Sequence, residues 1–450
     1  MKKNILVLIC FCCFNSSLTI AQTNKNLVEI RGTLAHFSNE VEVEDMSELQ
    51  YLLPKTIERL VVPDAANGQF YIKFKITAPN YFRIGRNALY LSPGDNLKVF
   101  IDYNNPTVAI FEGRGSEANH FLRFTPFPKG GSYMEAGTKA QPTPQQTIDY
   151  ILSAAALRTR QLDSLKTVTA EFKRLEKGRI QADIINSLLD GQISFYRPRA
   201  IQKDSVKLKQ YGDEYAALIK PYVDKYLKDF TEASFLKLVV YRDLADTLST
   251  QHGKVKDLQQ IKDWLQATAI IEKLKLVSDK QLLENFKPEI KTIKTAPYRN
   301  AVNQSFSALL QFGKGDTAAD FTATDTNGKT IALSSLKGKV IYIDLWATWC
   351  GPCMQEMPHY ETLKEKYASN PNIVFISLSI EDNETLWKGS VSGRKATGYQ
   401  WLVNRNKLNA YNIVGIPRTL LIGKDFKMVD MNAPLPSSKK ITGIIDGLLQ

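Results

Sequence analysis

Apolar and polar positions change their period twice along this chain. Over residues 27–112 the period is two. Phe70, Ile72, Phe74 and Ile76 alternate with Tyr71, Lys73 and Lys75, as in a half-buried strand. Ser92-Pro93-Gly94-Asp95 reads as a turn between apolar runs at 88–91 and 97–101, and 108–111 as a closing strand before Glu112-Gly113-Arg114-Gly115. Short strands at this spacing predict a small all-β sandwich or barrel over 22–115. From Ser116 the period lengthens. Ile148, Ile151, Leu152, Ala155 and Leu162 fall on one helical stripe, and Tyr215, Leu218, Ile219, Tyr222 and Tyr226 on another. An all-α region of four to seven helices is therefore expected over 116–310, after a loop at 141–144, with the tyrosines as core-edge packing. After Gly313-Lys314-Gly315-Asp316 strands and helices alternate. The expected order over 313–450 is a short strand, a strand at 339–346, a helix, a strand at 373–380 and an irregular or helical stretch. Strands near 418–422 and 427–431 and a final helix capped by Ser437 or Ser438 complete it. Such alternation implies a sheet covered on both faces, its last hairpin antiparallel.

The pentapeptide Trp349-Cys350-Gly351-Pro352-Cys353 falls where the 339–346 strand gives way to the helix expected from Met354. Two cysteines three apart can close a small disulfide loop there. Unpaired N–H groups and the dipole at the helix start stabilise a thiolate on the first of them. This arrangement suits reversible thiol–disulfide exchange. A structural zinc half-site is the bland alternative. It needs further ligands, yet no second CxxC exists, and His36, His120, His252 and His359 show no ligand spacing. No metal site is expected.

The first 21 residues add a compartment. Lys2 and Lys3, an apolar run over 5–14, and Thr19 and Ala21 ahead of Gln22 follow the order of a cleaved secretory signal peptide. The run is short for a membrane span, and an uncleaved N-terminal anchor is the less favoured reading. Bulky Ile9 and Phe11, just ahead of Cys10 and Cys12, argue against a lipoprotein. Cleavage leaves Cys350 and Cys353 as the two cysteines of the mature chain, which suits a redox couple better than a disulfide framework. The net charge of +12 falls to +10, since the leader takes two lysines and no acid. Basic residues over 158–294 are interspersed with acids, the pattern of a solvated surface rather than a nucleic-acid patch. A soluble periplasmic protein is expected.

Further motifs flank the pentapeptide. Ala319-Asp320-Phe321 and Leu333-Ser334-Ser335-Leu336-Lys337-Gly338-Lys339 precede Trp346-Ala347-Thr348 and the CxxC. Glu356-Met357-Pro358 and Val414-Gly415-Ile416-Pro417 follow. In this order they resemble the thioredoxin superfamily, and within it the exported TlpA/ResA-like branch. The resemblance covers residues 313–450 and implies an α/β thioredoxin-like fold, a central mixed sheet flanked by helices. It implies that Cys350, exposed at the helix start, attacks, and that Cys353 resolves the mixed disulfide. Gly351 permits the tight bend, and Pro352 sits in the first helical turn.

Asp344 matches the thioredoxin aspartate that assists proton transfer at the resolving thiol. Burial would suit it to that task, against a purely structural role. Glu356 matches a glutamate beside the active site of ResA-like proteins, against a solvated first-turn acid. Carrying both departs from either pattern and leaves open which carboxylate handles the proton. A cis Ile416–Pro417 bond is implied, its backbone pairing with extended substrate, and Trp349 shapes the docking surface. Arg418 stands where relatives often carry a small or hydroxylated residue, so a different substrate preference is expected.

The function implied is that of an exported thiol–disulfide oxidoreductase, mainly a reductant because its Gly-Pro dipeptide resembles thioredoxin's. It would need no cofactor beyond the Cys350–Cys353 couple. Its partners would be protein thiol or disulfide clients and a membrane-embedded electron donor of the DsbD/CcdA type. The two preceding regions would orient the site, recognise partners or support homo-oligomers. A thiol peroxidase is disfavoured by Ala347, where a Thr or Ser three before the cysteine is needed. A binding or scaffold protein, with an accessory thioredoxin domain, is the reading from a different class.

Overall fold

The computed structural model describes residues 26–450 except 38–39, 55–57, 126–131, 191–200, 202, 251–255, 278–279, 381 and 414. The expected signal peptide, with Cys10, Cys12 and Cys13, lies outside the described residues, as do His252 and Val414.

Eight strands form the N-terminal region: β1 (Leu27–Ala35), β2 (Val41–Asp45), β3 (Leu60–Val61), β4 (Gln69–Lys75), β5 (Asn80–Ile84), β6 (Asn87–Leu91), β7 (Asn96–Asp102) and β8 (Ile110–Arg114). They make two four-stranded sheets, ordered β4-β1-β7-β8 and β3-β2-β5-β6. Neighbours run antiparallel except β1 and β7, which are parallel. Inward residues of both sheets, among them Val28, Ile30, Val43, Phe82, Ile84 and Leu97, share one core. Each such burial contributes about 1.5–3 kcal/mol. The closing strand begins later than expected. Pro106, with its fixed φ, opens a 3₁₀ turn over Pro106–Val108, and β8 then continues through Gly113. Gly113 has φ +96°, and a Cβ there would sit 2.2 Å from the Asn96 carbonyl oxygen, so only glycine fits this close strand approach.

Long helices follow: α1 (Pro144–Asp163), α2 (Ala170–Asp190), α3 (Ser205–Leu227), α4 (Leu258–Leu274) and α5 (Ala296–Gln311), with shorter turns between them. The 141–144 segment, expected as a loop, contains a helix start. Thr143 and Gln146 form a capping box, and Pro144 takes the first helical position. The predicted stripes face inward, with Ile148, Ile151, Ala155 and Leu162 buried on α1 and Tyr215 and Ile219 on α3. Leu52, Tyr81 and Tyr90 of the β region enter this helical core. The two regions therefore fold against each other through apolar surface.

The C-terminal sheet has seven strands: β9 (Thr322–Asp325), β10 (Thr330–Ala332), β11 (Val340–Trp346), β12 (Ile373–Ile380), β13 (Tyr399–Val403), β14 (Arg418–Ile422) and β15 (Met428–Asp430). Their order is β10-β9-β13-β12-β11-β14-β15. The three central strands β13, β12 and β11 are parallel and the outer pairings antiparallel. The expected single lead-in strand is a hairpin. The stretch after β12 contains helix α7 (Glu384–Gly393) and then β13, a strand hidden in the sequence because Gln400 interrupts a five-residue run. Helices α6 (Gly351–Lys366) and α8 (Lys439–Leu449) cover one face, where Tyr360, Leu363, Ile441 and Ile445 meet Val340, Tyr342 and Phe375. Ser438 caps α8. An ion pair between Lys280 and Asp316 ties the helical region to this unit.

Candidate redox site

β11 is buried along its whole length, as a central parallel strand must be. Side chains alternate across it, so Val340, Tyr342, Asp344 and Trp346 share the face that α6 covers. The chain leaves the sheet at Trp346, and Cys350 becomes the N-cap of α6, its Sγ accepting the Cys353 N–H at 3.2 Å. The two sulfurs form a disulfide. Pro352 occupies the first turn, where its missing N–H has no partner to lose.

Cys350 was expected to be exposed, yet it is only 4% accessible and Cys353 1%. Both sit in an apolar cluster with Trp346, Ala347, Met357, Trp387 and Val391. The capping geometry turns Cys350 inward, and α7, which the sequence does not place, contributes Trp387 and Val391. Trp349 next to it projects outward, 62% exposed. The Ile416–Pro417 bond is cis, and Ile416 packs against the cysteine cluster.

Asp344 is 1% exposed, and its Oδ1 has no hydrogen-bond partner. Burial pushes its pKa up to about 7; the Glu356 charge adds to the rise and the Arg394 guanidinium opposes it. Glu356 is half-buried and engaged elsewhere. Its carboxylate accepts the Ser437 N–H at 3.0 Å and the Ser437 hydroxyl at 2.8 Å, holding the loop that leads into α8. The two carboxylates are therefore coupled by charge, while only Asp344 is left unsatisfied in the interior.

A disulfide at a helix start on a mixed sheet, with a cis-proline bond packed against it, frames the comparison with known proteins. The family model described as Redoxin matches residues 313–433. The thiol-disulfide oxidoreductase ResA of Bacillus subtilis (strain 168) is 30% identical over 131 residues, 28% of this chain and 71% of the relative. ResA of Bacillus thuringiensis (strain Al Hakam) is 31% identical over 140 residues, 30% and 78% of the two chains. The chain belongs to the ResA-like thiol–disulfide oxidoreductases. A crystal structure of a candidate thiol-disulfide oxidoreductase from Bacteroides vulgatus is 41% identical, covers 31% of this chain and 98% of its own, and has a TM-score of 0.29.

Three residues of this ResA-like site escaped the sequence reading. Asp382, two residues past β12, is buried and accepts the Thr348 N–H at 2.9 Å and the Thr348 hydroxyl at 2.5 Å, as well as the Ser379 hydroxyl. It thereby clamps the loop two residues before Cys350. An acid just beyond a largely apolar strand, three residues after Ser379, was the available signal. Arg394 follows α7, lies 4.6 Å from the Trp346 ring centroid and donates to Met357 Sδ at 3.1 Å. Trp387 gave no signal beyond its hydrophobicity. Arg418, expected to alter substrate preference, is buried instead. It donates to the Met431 and Asn412 carbonyls at 2.8 and 3.0 Å, and burial lowers its pKa to about 10.

Proposed function

We propose that this oxidoreductase is exported and reduces disulfides of envelope proteins through Cys350 and Cys353. The observation that carries the reading is the Cys350–Cys353 disulfide at the start of α6, with Asp344, whose Oδ1 is buried without a hydrogen-bond partner, on the same face of the sheet. In the reduced enzyme the Cys350 thiolate attacks one sulfur of a client disulfide. The client S–S bond breaks, a mixed disulfide forms, and the released client thiolate takes a proton. Asp344 accepts the Cys353 proton. The resulting thiolate attacks Cys350 Sγ, closing the Cys350–Cys353 disulfide and releasing the second client sulfur. Two electrons pass from enzyme to client, and the structure corresponds to the oxidised product of that turnover.

Burial of Asp344 supports the assignment of the proton to it rather than to Glu356, whose oxygens are held by Ser437. A pKa near the working pH lets one carboxyl both take and return a proton. The Gly-Pro dipeptide supports a couple near thioredoxin's, about −270 mV, rather than the roughly −120 mV of a dedicated oxidant. Re-reduction would then need a membrane-embedded dithiol donor of the DsbD/CcdA type. Among the described residues no helix is long and apolar enough to cross a membrane. Equilibrating the Cys350–Cys353 couple against glutathione tests the direction. A potential above about −180 mV would remove the reductant assignment.

A further inference from the structure

The β sandwich meets the thioredoxin unit in a different way from the helices. Its Glu40 accepts from the side-chain amides of Asn404 and Asn406 at 2.8 and 3.3 Å, and beside this tether lies a cleft of about 1520 Å³. One wall comes from β2, β3 and the turn after β3. The other is the rim of the redox site, with Thr348, Trp349 and the first turn of α7. The cleft exceeds the roughly 300–1,000 Å³ of small-ligand pockets. Val62, Trp349 and Leu386 present exposed apolar surface along it. β3 is the edge strand of its sheet, and an edge offers backbone groups to an extended chain.

Charge narrows the occupant. Six carboxylates, Glu40, Glu42, Glu44, Asp64, Asp382 and Glu384, line the cleft against the three cations Arg83, Arg405 and Lys407. The chain as a whole carries +12. The cleft thus has the opposite sign from the molecule that contains it.

We propose that this cleft is the client-docking groove, in which an extended, Lys- or Arg-bearing stretch of polypeptide lies beside Trp349 and brings its disulfide to Cys350. The inference rests on the oxidoreductase reading and adds its substrate class: unfolded cationic segments, recognised jointly by the β sandwich and the redox unit. The sandwich is then a wall of the substrate site.

Docking is tested apart from chemistry. Two labelled peptides of equal length, one lysine-rich and one glutamate-rich, with serine in place of cysteine, are titrated onto the oxidised full chain by fluorescence anisotropy. The cationic peptide should bind at least about tenfold more tightly at low salt, with the preference shrinking as salt rises. Glu384→Lys, made alone and together with Glu42→Lys, should reduce that ratio. The ratio is taken within each protein, and the single change on the exposed surface of α7 provides a folded variant if the double one fails. Equal binding of the two peptides to the wild type, or a ratio unmoved by these changes, would overturn the groove. Reduction of hydroxyethyl disulfide by the reduced chain is measured in parallel. Its absence would count against the oxidoreductase reading and leave the binding result standing.

Discussion

Glu176 and Asp344 are buried to the same depth, and the chain treats them in opposite ways. Glu176, on α2, receives Arg179 Nε at 3.0 Å on both oxygens and the Tyr81 hydroxyl at 2.5 Å. It joins the helices to the β sandwich as a partnered charge. Asp344, on β11, keeps an Oδ1 without a hydrogen-bond partner and a pKa raised to about 7. A buried acid whose oxygens are held by an arginine and a tyrosine serves architecture. An unpartnered one is free to change its protonation state and serves chemistry. Burial alone does not distinguish the two; the partners do.

The contrast breaks most sharply at the thiol. Cys350→Ser should abolish reduction of insulin by dithiothreitol-recycled enzyme, because Cys353, 1% exposed, is left without the attacking thiol and without a partner for the disulfide that releases the client. Next in size, Asp344→Asn should slow disulfide reduction at pH 7 by about 10²- to 10⁴-fold, the range of a lost general acid–base group. Glu176→Gln should instead leave the rate per folded molecule unchanged. It should lower unfolding stability by about 3–5 kcal/mol, because Arg179 loses its buried counter-charge. Urea titration and insulin turnover on the same samples separate these outcomes.

Stability against pH sharpens the comparison further. The folded pKa of Asp344 lies above its unfolded value, so the folded state holds a proton that the unfolded chain has released between about pH 4 and 7. Stability therefore falls as pH rises through that window, by up to about 4 kcal/mol. Asp344→Asn should accordingly be more stable than wild type at pH 8, with the gain fading as pH drops toward 4. Thermal melts across that range check the sign. The smallest effect is expected from Glu356→Gln, which should lower the Asp344 midpoint by removing a neighbouring negative charge, with little loss of turnover.

How much of this was legible in the sequence follows from the range of the interactions. The period-two run at β4, the helical stripe of α1 and the CxxC junction depend on neighbours a few residues apart, and they stand out in the chain. Asp344 was legible for the same reason, as an acid inside an apolar run. Its missing partner was not, because that depends on what α6, α7 and the sheet bring around it. The burial of Cys350 depends on α7, more than thirty residues downstream. Asp382 reaches Thr348 only once β11 and β12 pair in register. The cleft lies further still from the sequence, since its two walls come from opposite ends of the chain.

The most direct test is to titrate the Asp344 carboxyl by ¹³C NMR in the oxidised full chain, where neither site cysteine ionises. The account predicts a midpoint near 7 that is absent in Asp344→Asn. A midpoint near 4, like that of an ordinary exposed aspartate, would contradict it.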